Sequence, residues 1–375
     1  MRVLMASKIL VVAAYRRKLE ELAAEPDIEE LLAVTPPAWQ EPGGRKLVFE
    51  SAACNGYELR IEPIRFNGSF HLFHWPGLGR LIAEFKPDLV HMDEEAYNLA
   101  TLLGMRGARR VGARSVFFTW QNLLRRYPPP FNFFEQYVFK SAAHAIAGSG
   151  EALSVLRSKG FTGPASVIPQ FGVDPELFTP NVAREGAPVI GFVARLVEEK
   201  GIFVLLEALA GLAGDWALHV IGSGPLKARA QQRAAALGIA QRIVWEPGVP
   251  STEMAARMRQ FTLLVQPSLT RRHWKEQFGR ALMEAMSCGV AVVGSDSGEI
   301  PHLIGDAGVV VPEADEAALR SALGQLLANA GQRAELGARG RARVLACFTH
   351  RRVAEQTVAV YRSVVPERIG ATIDR

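Results

Sequence analysis

The stretch Lys275-Glu276-Gln277-Phe278-Gly279-Arg280-Ala281-Leu282-Met283-Glu284-Ala285-Met286 decides the reading of the chain, because it sets two carboxylates, Glu276 and Glu284, around a glycine that opens a helix. Glu276 falls in a loop after the apolar run Phe261 to Val265, where a carboxylate can accept hydrogen bonds from hydroxyls. Gly279 lets the backbone from Phe278 to Arg280 come close to a ligand. The helix beyond it aims free N–H groups and the positive end of its dipole at the same point, which suits an anion such as a diphosphate. Glu284, inside that helix, is placed to take a diol such as a ribose. Two solvated glutamates flanking an ordinary amphipathic helix would show the same spacing, so the surroundings decide. They are an apolar strand before the motif and Val290-Ala291-Val292-Val293 after it, which ends at Gly294-Ser295-Asp296-Ser297-Gly298. The motif therefore sits at the carboxyl edge of an α/β sheet, where ligands of open α/β folds bind.

A second cluster lies upstream. The strand-like Pro188-Val189-Ile190-Gly191-Phe192-Val193-Ala194 runs into Arg195-Leu196-Val197-Glu198-Glu199-Lys200-Gly201 and then into a helical pattern from Ile202 to Leu212. Arg offers a planar fork for phosphate oxygens and Lys a compact point charge, so Arg195 and Lys200 suit a diphosphate leaving group. Surface pairing with Glu198 and Glu199 is the plainer alternative.

In order and spacing, Arg195 with Lys200-Gly201, Val220-Ile221-Gly222-Ser223-Gly224-Pro225, Glu276 through Met286, and Gly298-Glu299-Ile300-Pro301 resemble the signatures of the family 4 retaining glycosyltransferases over roughly residues 188 to 312. The resemblance implies a GT-B fold, two Rossmann-like α/β domains facing each other across a cleft. It further implies donor-sugar contact at Glu276, ribose contact at Glu284, diphosphate contact at Arg195 and Lys200, and backbone contacts around Gly224, Phe278, Gly279 and Arg280. The nucleobase would be seated by Trp245-Glu246-Pro247-Gly248-Val249-Pro250, Val249 included. The implied co-substrate is a nucleotide diphosphate sugar, and no metal or other cofactor is expected. A dinucleotide-binding reading of Gly222-Ser223-Gly224 is weak, because Lys227 stands where a third glycine is needed.

Composition bounds the remaining possibilities. With 375 residues, 49% of them hydrophobic, the chain can bury two cores. A net charge of +5 is too small to point to nucleic acid. Cys54, Cys288 and Cys347 lack any paired or metal-ligand spacing, which leads us to expect a reducing compartment and buried, inert thiols. No apolar run of about 18 residues occurs, and Lys8 interrupts the apolar amino-terminal stretch, so a first strand and helix are expected there rather than an export leader. A cytoplasmic enzyme, at most resting on the inner face of the membrane, is the expected setting.

Along the chain, strand and helix patterns alternate, as parallel sheets with covering helices require. Candidate strands of the first half are Ile9–Ala13, with a helix from Tyr15, then Glu30–Val34, Tyr57–Pro63, Leu89–His91, Ser115–Thr119, Ala143–Ala147 and Ser166–Ile168. A Pro/Gly-rich break from Pro169 to Pro188 reads as a linker. The expected division is an acceptor-side domain over 1–172, a donor-binding domain over 173–351, and a last helix at about 352–375 packing back on the first.

Family members often carry a glycine-rich loop after the first strand and a histidine after the fourth. This chain instead reads His91-Met92-Asp93-Glu94-Glu95 at the second place. Asp93, Glu94 and Glu95 either position an acceptor hydroxyl or cap a helix over Tyr97–Leu103. Aromatics and a basic pair interleave from Thr119 to Phe134, which suits a lipid-linked acceptor or a membrane surface, or a loop packed on its own domain. The implied reaction is transfer of a glycosyl unit to an acceptor hydroxyl of a glycan, glycolipid or small molecule in cell-surface biosynthesis. Double displacement would need a nucleophilic carboxylate near the anomeric carbon, and none is evident; the resemblance implies retention by a front-face route. A nucleotide-sugar epimerase, a phosphorylase and a non-catalytic nucleotide-sugar binder are the alternatives.

Overall fold

The computed structural model describes residues 1–41, 44, 46–180 and 187–366. Fifteen strands are found among them, running in order β1 (Arg2–Ala6), β2 (Glu30–Thr35), β3 (Ala38–Gln40), β4 (Lys46–Val48), β5 (Glu58–Ile61), β6 (Leu89–Met92), β7 (Arg114–Thr119), β8 (His144–Ala147), β9 (Ala165–Val167), β10 (Val189–Val193), β11 (Ala217–Ile221), β12 (Ile243–Glu246), β13 (Leu263–Gln266), β14 (Ala291–Ser295) and β15 (Val309–Val311). The chain divides into two compact units, one of Met1–Gly172 with the segment from His350 onward, the other of Val173–Thr349. Residues 181–186 of the expected linker and 367–375 of the expected last helix lie outside the described residues.

The first unit holds a seven-stranded parallel sheet in the order β5-β2-β1-β6-β7-β8-β9, and the second a six-stranded parallel sheet in the order β12-β11-β10-β13-β14-β15. Helices connect the strands and cover both faces, as parallel pairing demands. The central strands are accordingly apolar throughout, for example Val3 to Ala6 and Leu263 to Val265, all at most 1% exposed. In each sheet the strand order reverses once, between β1 and β6 and between β10 and β13. Such a switch point leaves a crevice at the carboxyl ends of the two strands.

The amino-terminal expectation was displaced in register. The first strand is Arg2–Ala6, not Ile9–Ala13, because Val3 to Ala6 find partners on both sides, Leu31 to Val34 and Leu89 to Met92. Ser7 then ends the strand, Lys8–Val11 form a 3-10 turn, and a helix starts at Ala13, whose N–H is taken by the Glu50 carboxylate at 2.7 Å. The short antiparallel pair β3–β4 was not anticipated. Two thiols also depart from expectation: Cys288 is buried, but Cys54 and Cys347 are exposed.

The helix His350–Val364 belongs to the first unit, where Val353, Ala354, Val358 and Tyr361 share a core with Leu19 and Leu22 of the helix Ala13–Ala23. The Tyr361 hydroxyl meets His91 Nδ1 of β6 at 2.6 Å, both residues being buried. Burial holds His91 down to about 3, so it is neutral at physiological pH. Tyr361→Phe removes this hydroxyl and strands a buried ring nitrogen. We expect a loss of about 1–3 kcal/mol of stability by chemical denaturation; an unchanged midpoint would show that the contact contributes nothing.

Candidate active site

In the second unit the switch point between β10 and β13 is built from two loops. From β10 the chain passes through Arg195 and a 3-10 turn, Glu198–Lys200, to Gly201, which opens the helix Ile202–Ala210. From β13 it passes through Pro267, Ser268 and the Arg271–Trp274 bridge to Gly279, which opens the helix Arg280–Ser287. Lys200 Nζ crosses from one loop to the other and donates to Glu276 Oε2 at 2.6 Å. The same oxygen accepts from Gln266 Nε2 and Ser268 Oγ, each at 2.8 Å. The Lys200 ammonium also lies 4.6 Å from the Trp274 ring centre, a cation–π distance. Glu276 is thereby a buried carboxylate with three donors on one oxygen, a geometry that fixes its rotamer.

Gly279 has φ 90°, a left-handed turn that favours glycine and brings the chain into the helix with its N–H groups facing the crevice. Glu284, one turn on and buried, accepts from Arg280 Nε at 2.6 Å. Phe278 packs edge-on against Phe348 with ring centres 5.9 Å apart. The signature Gly298-Glu299-Ile300-Pro301 acts on Glu276 through the backbone. Glu299 N–H donates to the Glu276 carbonyl at 3.2 Å, and a side chain at Gly298 would place its Cβ 1.9 Å from that carbonyl oxygen. Only glycine therefore lets the two loops close together.

The remaining donor-side candidates are placed less tightly. Arg195 is half exposed, with Nη2 3.8 Å from Glu199 Oε1, as the plainer reading of its neighbourhood foresaw. Lys200 does not pair with Glu198 or Glu199 in this way; its partner is Glu276. Gly224 lies against the Leu196 carbonyl, and Leu226 N–H donates to the same oxygen at 3.1 Å, so this loop buttresses the one carrying Arg195. Val249 is partly buried against the core under β13. Near it, Glu246 receives two hydrogen bonds from Arg257 Nε and one from Nη2, and His219 Nε2 lies 2.9 Å away; the Arg257 bonds hold its carboxyl below the usual range.

In the first unit the equivalent switch point, β1 to β6, brings Asp93, Glu94 and Glu95 together, but not as helix caps. The helix runs Leu99–Arg110 behind Asn98, and each carboxylate is engaged inside the domain. Glu94 is paired with the buried Lys8 ammonium and accepts from Lys8 N–H at 2.7 Å. Asp93 accepts from Gln170 Nε2 at 3.0 Å and faces Lys18 Nζ and His91 Nε2, each at 3.8 Å. Glu95 accepts from Thr119 Oγ1 at 2.7 Å and Trp120 N–H at 2.8 Å. Lys18 and Gln170 were not singled out in the sequence, and Lys8 only as a break in an apolar stretch, although a lysine within an apolar run and a lysine on an apolar helix face are signals that each needs a buried partner. Likewise Gln266 and Ser268, polar residues ending an all-apolar strand, marked the surroundings of Glu276.

The segment from Thr119 to Phe134 divides between the two expectations. Tyr127 and Phe131 pack on His71, at 5.2 and 4.5 Å, and Phe134 is buried. Leu124 and Phe133, by contrast, are 57% and 62% exposed, with Arg125 and Arg126 also at the surface.

Residues 173–343 match the family described as Glycosyl transferases group 1, and residues 34–177 match Glycosyltransferase Family 4. The chain is 33% identical over 341 residues to the GDP-mannose-dependent alpha-(1-6)-phosphatidylinositol monomannoside mannosyltransferase of Mycolicibacterium smegmatis, spanning 83% of this chain and 84% of that one. It is 28% identical over 275 residues to the 2-deoxystreptamine N-acetyl-D-glucosaminyltransferase of Streptomyces fradiae, 66% of this chain and 64% of the other. Among solved structures, Anabaena HepE in complex with UDP has a TM-score of 0.76 at 16% identity over 97% of this chain and 100% of that one, a likeness of fold. Sucrose-phosphate synthase from Thermosynechococcus elongatus has a TM-score of 0.74 at 19% identity, over 97% and 98%.

The two parallel-sheet domains are those of the GT-B class of glycosyltransferases. This chain belongs to the family 4, group 1 glycosyltransferases. It is an enzyme of sugar transfer in glycoconjugate biosynthesis, and the epimerase, phosphorylase and binder alternatives find no support in these relatives. No described helix is long and apolar enough to cross a membrane.

Burial pushes the Glu95 carboxyl up to about 7, against the opposing pull of its Thr119 and Trp120 donors. The folded state then holds this proton more tightly than the unfolded chain, whose carboxyl titrates near 4.5. Its contribution to stability is complete below that value and is lost as pH rises through about 7. Glu95→Gln keeps an acceptor oxygen and removes the charge, so its melting temperature should exceed that of the wild type at pH 8 and converge with it near pH 5. A difference independent of pH would mean that the carboxyl does not titrate in this range.

Proposed function

We propose that this enzyme transfers a hexosyl unit, with retention, from a nucleoside diphosphate sugar held at the β10–β13 edge of its second domain to a hydroxyl of a glycolipid, glycan or polyol acceptor. The observation that carries this reading is the Lys200–Glu276 pair, which joins a cation suited to diphosphate and a carboxylate suited to sugar hydroxyls beside a glycine-opened helix. In this reading Arg195, Lys200 and the amino end of the helix Arg280–Ser287 receive the diphosphate. Glu276 holds the donor sugar, Glu284 the ribose, and the backbone at Gly224, Phe278 and Gly279 approaches the ligand, with the base near Val249.

The chemistry follows from the charges. The acceptor oxygen bonds to the anomeric carbon as the bond from that carbon to the diphosphate oxygen breaks, and the departing diphosphate takes the acceptor proton. Negative charge grows on the leaving oxygen in the transition state, and preorganised cations and N–H groups aimed there lower the barrier without a metal ion. Lys200 bound to Glu276 is such a cation: its position is set before the donor arrives, so little reorganisation is needed. In this reading the first domain supplies the acceptor side, with Asp93, Glu94 and Glu95 shaping its floor through their network. The exposed Leu124 and Phe133 beside Arg125 and Arg126 support contact with an anionic membrane surface that presents a lipid-linked acceptor.

The mannosyltransferase relative makes GDP the first nucleotide to test, beside UDP and ADP. A nucleotide that occupies the site raises the melting temperature in proportion to RT ln(1 + [L]/Kd), and Glu284→Ala should abolish most of that rise. No response to any nucleotide or its sugar conjugates would remove the proposal. Lys200→Ala should depress kcat about 100-fold while changing donor KM by less than about tenfold, the mark of an interaction strengthened in the transition state. Equal losses in kcat and affinity would assign Lys200 to ground-state binding alone.

A further inference from the structure

On the first sheet, the edge opposite Asp93, Glu94 and Glu95 carries a feature that the transfer reaction does not use. Around the amino ends of β6, β7 and β8 lies a cavity of about 930 Å³, and four cations line it: Lys86, Arg109, Arg114 and Lys140. All four are exposed, and among the described residues none of them forms an ion pair. One carboxylate, Asp88, lines the same cavity, and its Oδ2 accepts from the Arg2 N–H at 2.7 Å. Met105 and Val111 give the cavity an apolar part.

The positions of the cations follow from the fold. Lys86 ends the helix Leu78–Phe85 in a left-handed turn, Arg109 falls in the last turn of Leu99–Arg110, and Lys140 in that of Phe131–Ser141. Basic side chains at helix carboxyl ends are favoured by the dipole, so three partial negative ends help hold cations at the rim. The three ends together carry about one and a half negative charges. With Asp88 also counted against the four cations, the cavity keeps an excess of about one and a half positive charges. Its volume suits a small organic or inorganic molecule, not a polymer.

We propose that this cavity is a second anion site, distinct from the donor crevice, that binds a small soluble molecule carrying two or more clustered phosphate groups. β6 alone spans roughly 13 Å at about 3.3 Å per residue, which separates the cavity from the carboxylate cluster at the other end of that strand. A ligand here therefore touches neither Asp93, Glu94 nor Glu95. Charge excess selects a di- or triphosphate over a monoanion, and the apolar part leaves room for an organic group attached to it.

The test uses the full chain with inorganic tripolyphosphate as probe, followed by hydrogen–deuterium exchange at near-physiological salt. Binding at the cavity slows exchange in peptides covering 86–89, 109–115 and 140–143. Arg114→Gln combined with Lys140→Gln changes exposed side chains, so the fold should survive, which an unaltered melting temperature verifies. Charge-assisted contacts are worth about tenfold or more each in affinity, so the double variant should weaken the protection at least about tenfold in probe concentration. Arg195→Ala with Lys200→Ala should leave it intact. Protection confined to 195–201 and 278–280 would overturn the proposal, because the probe would then occupy only the donor crevice. So would sedimentation with phosphatidylglycerol vesicles that depends on Arg114 and Lys140 while tripolyphosphate protects none of these peptides, since the anion recognised would then be a membrane surface.

Discussion

In the second domain the buried ion pair between Lys200 and Glu276 ties the loop after β10 to the loop after β13, beside a backbone hydrogen bond from Leu269 N–H to the Glu199 carbonyl at 2.8 Å. These loops leave adjacent parallel strands at the place where strand order reverses, so nothing in the sheet itself holds them together. Gln266 and Ser268 converge on the same carboxylate oxygen, and the turn at Gly298 closes on the Glu276 backbone from the other side. A carboxylate taken out of water is costly unless its lone pairs are used. Glu276 satisfies this requirement with groups from both loops, so the electrostatic need of one buried side chain helps to fix how the two loops meet.

The first domain solves the same problem at its own reversal, between β1 and β6, with Lys8 and Glu94 in place of Lys200 and Glu276. Here the pairing spreads further, to Lys18, Gln170 and His91 around Asp93 and to Thr119 and Trp120 around Glu95. The helix His350–Val364 adds the Tyr361 hydroxyl to this interior and so ties the last described helix to β6. Charged groups at both switch points are therefore structural: paired inside the domain, they stabilise the loop positions.

The fold class was legible because apolar runs alternating with helical patterns admit parallel sheets and little else. The position of the proposed donor motifs at the sheet edge was legible because their residues lie within a few positions of a strand end and a helix start. The amino-terminal strand was not, since Ile9–Ala13 is as apolar as Val3–Ala6 and only the two flanking strands choose between them. The first-domain carboxylates were found as a cluster but not as a network, because Lys8 lies 86 residues from Glu94 and Gln170 lies 77 from Asp93.

By itself the sequence determined the alternation of elements and the helix-opening glycines, and it singled out Arg195, Lys200, Glu276 and Glu284, the groups proposed here to meet a sugar and a diphosphate. Tertiary structure alone decided which acid each buried base would meet. Lys200 reaches Glu276 rather than its neighbours Glu198 and Glu199, Gly298 turns out to serve Glu276, and Tyr361 answers His91 from 270 residues away. The reason is physical: local pattern reports which side of an element faces the core. The partner that makes a buried charge tolerable is chosen by close packing between elements, whatever their separation along the chain.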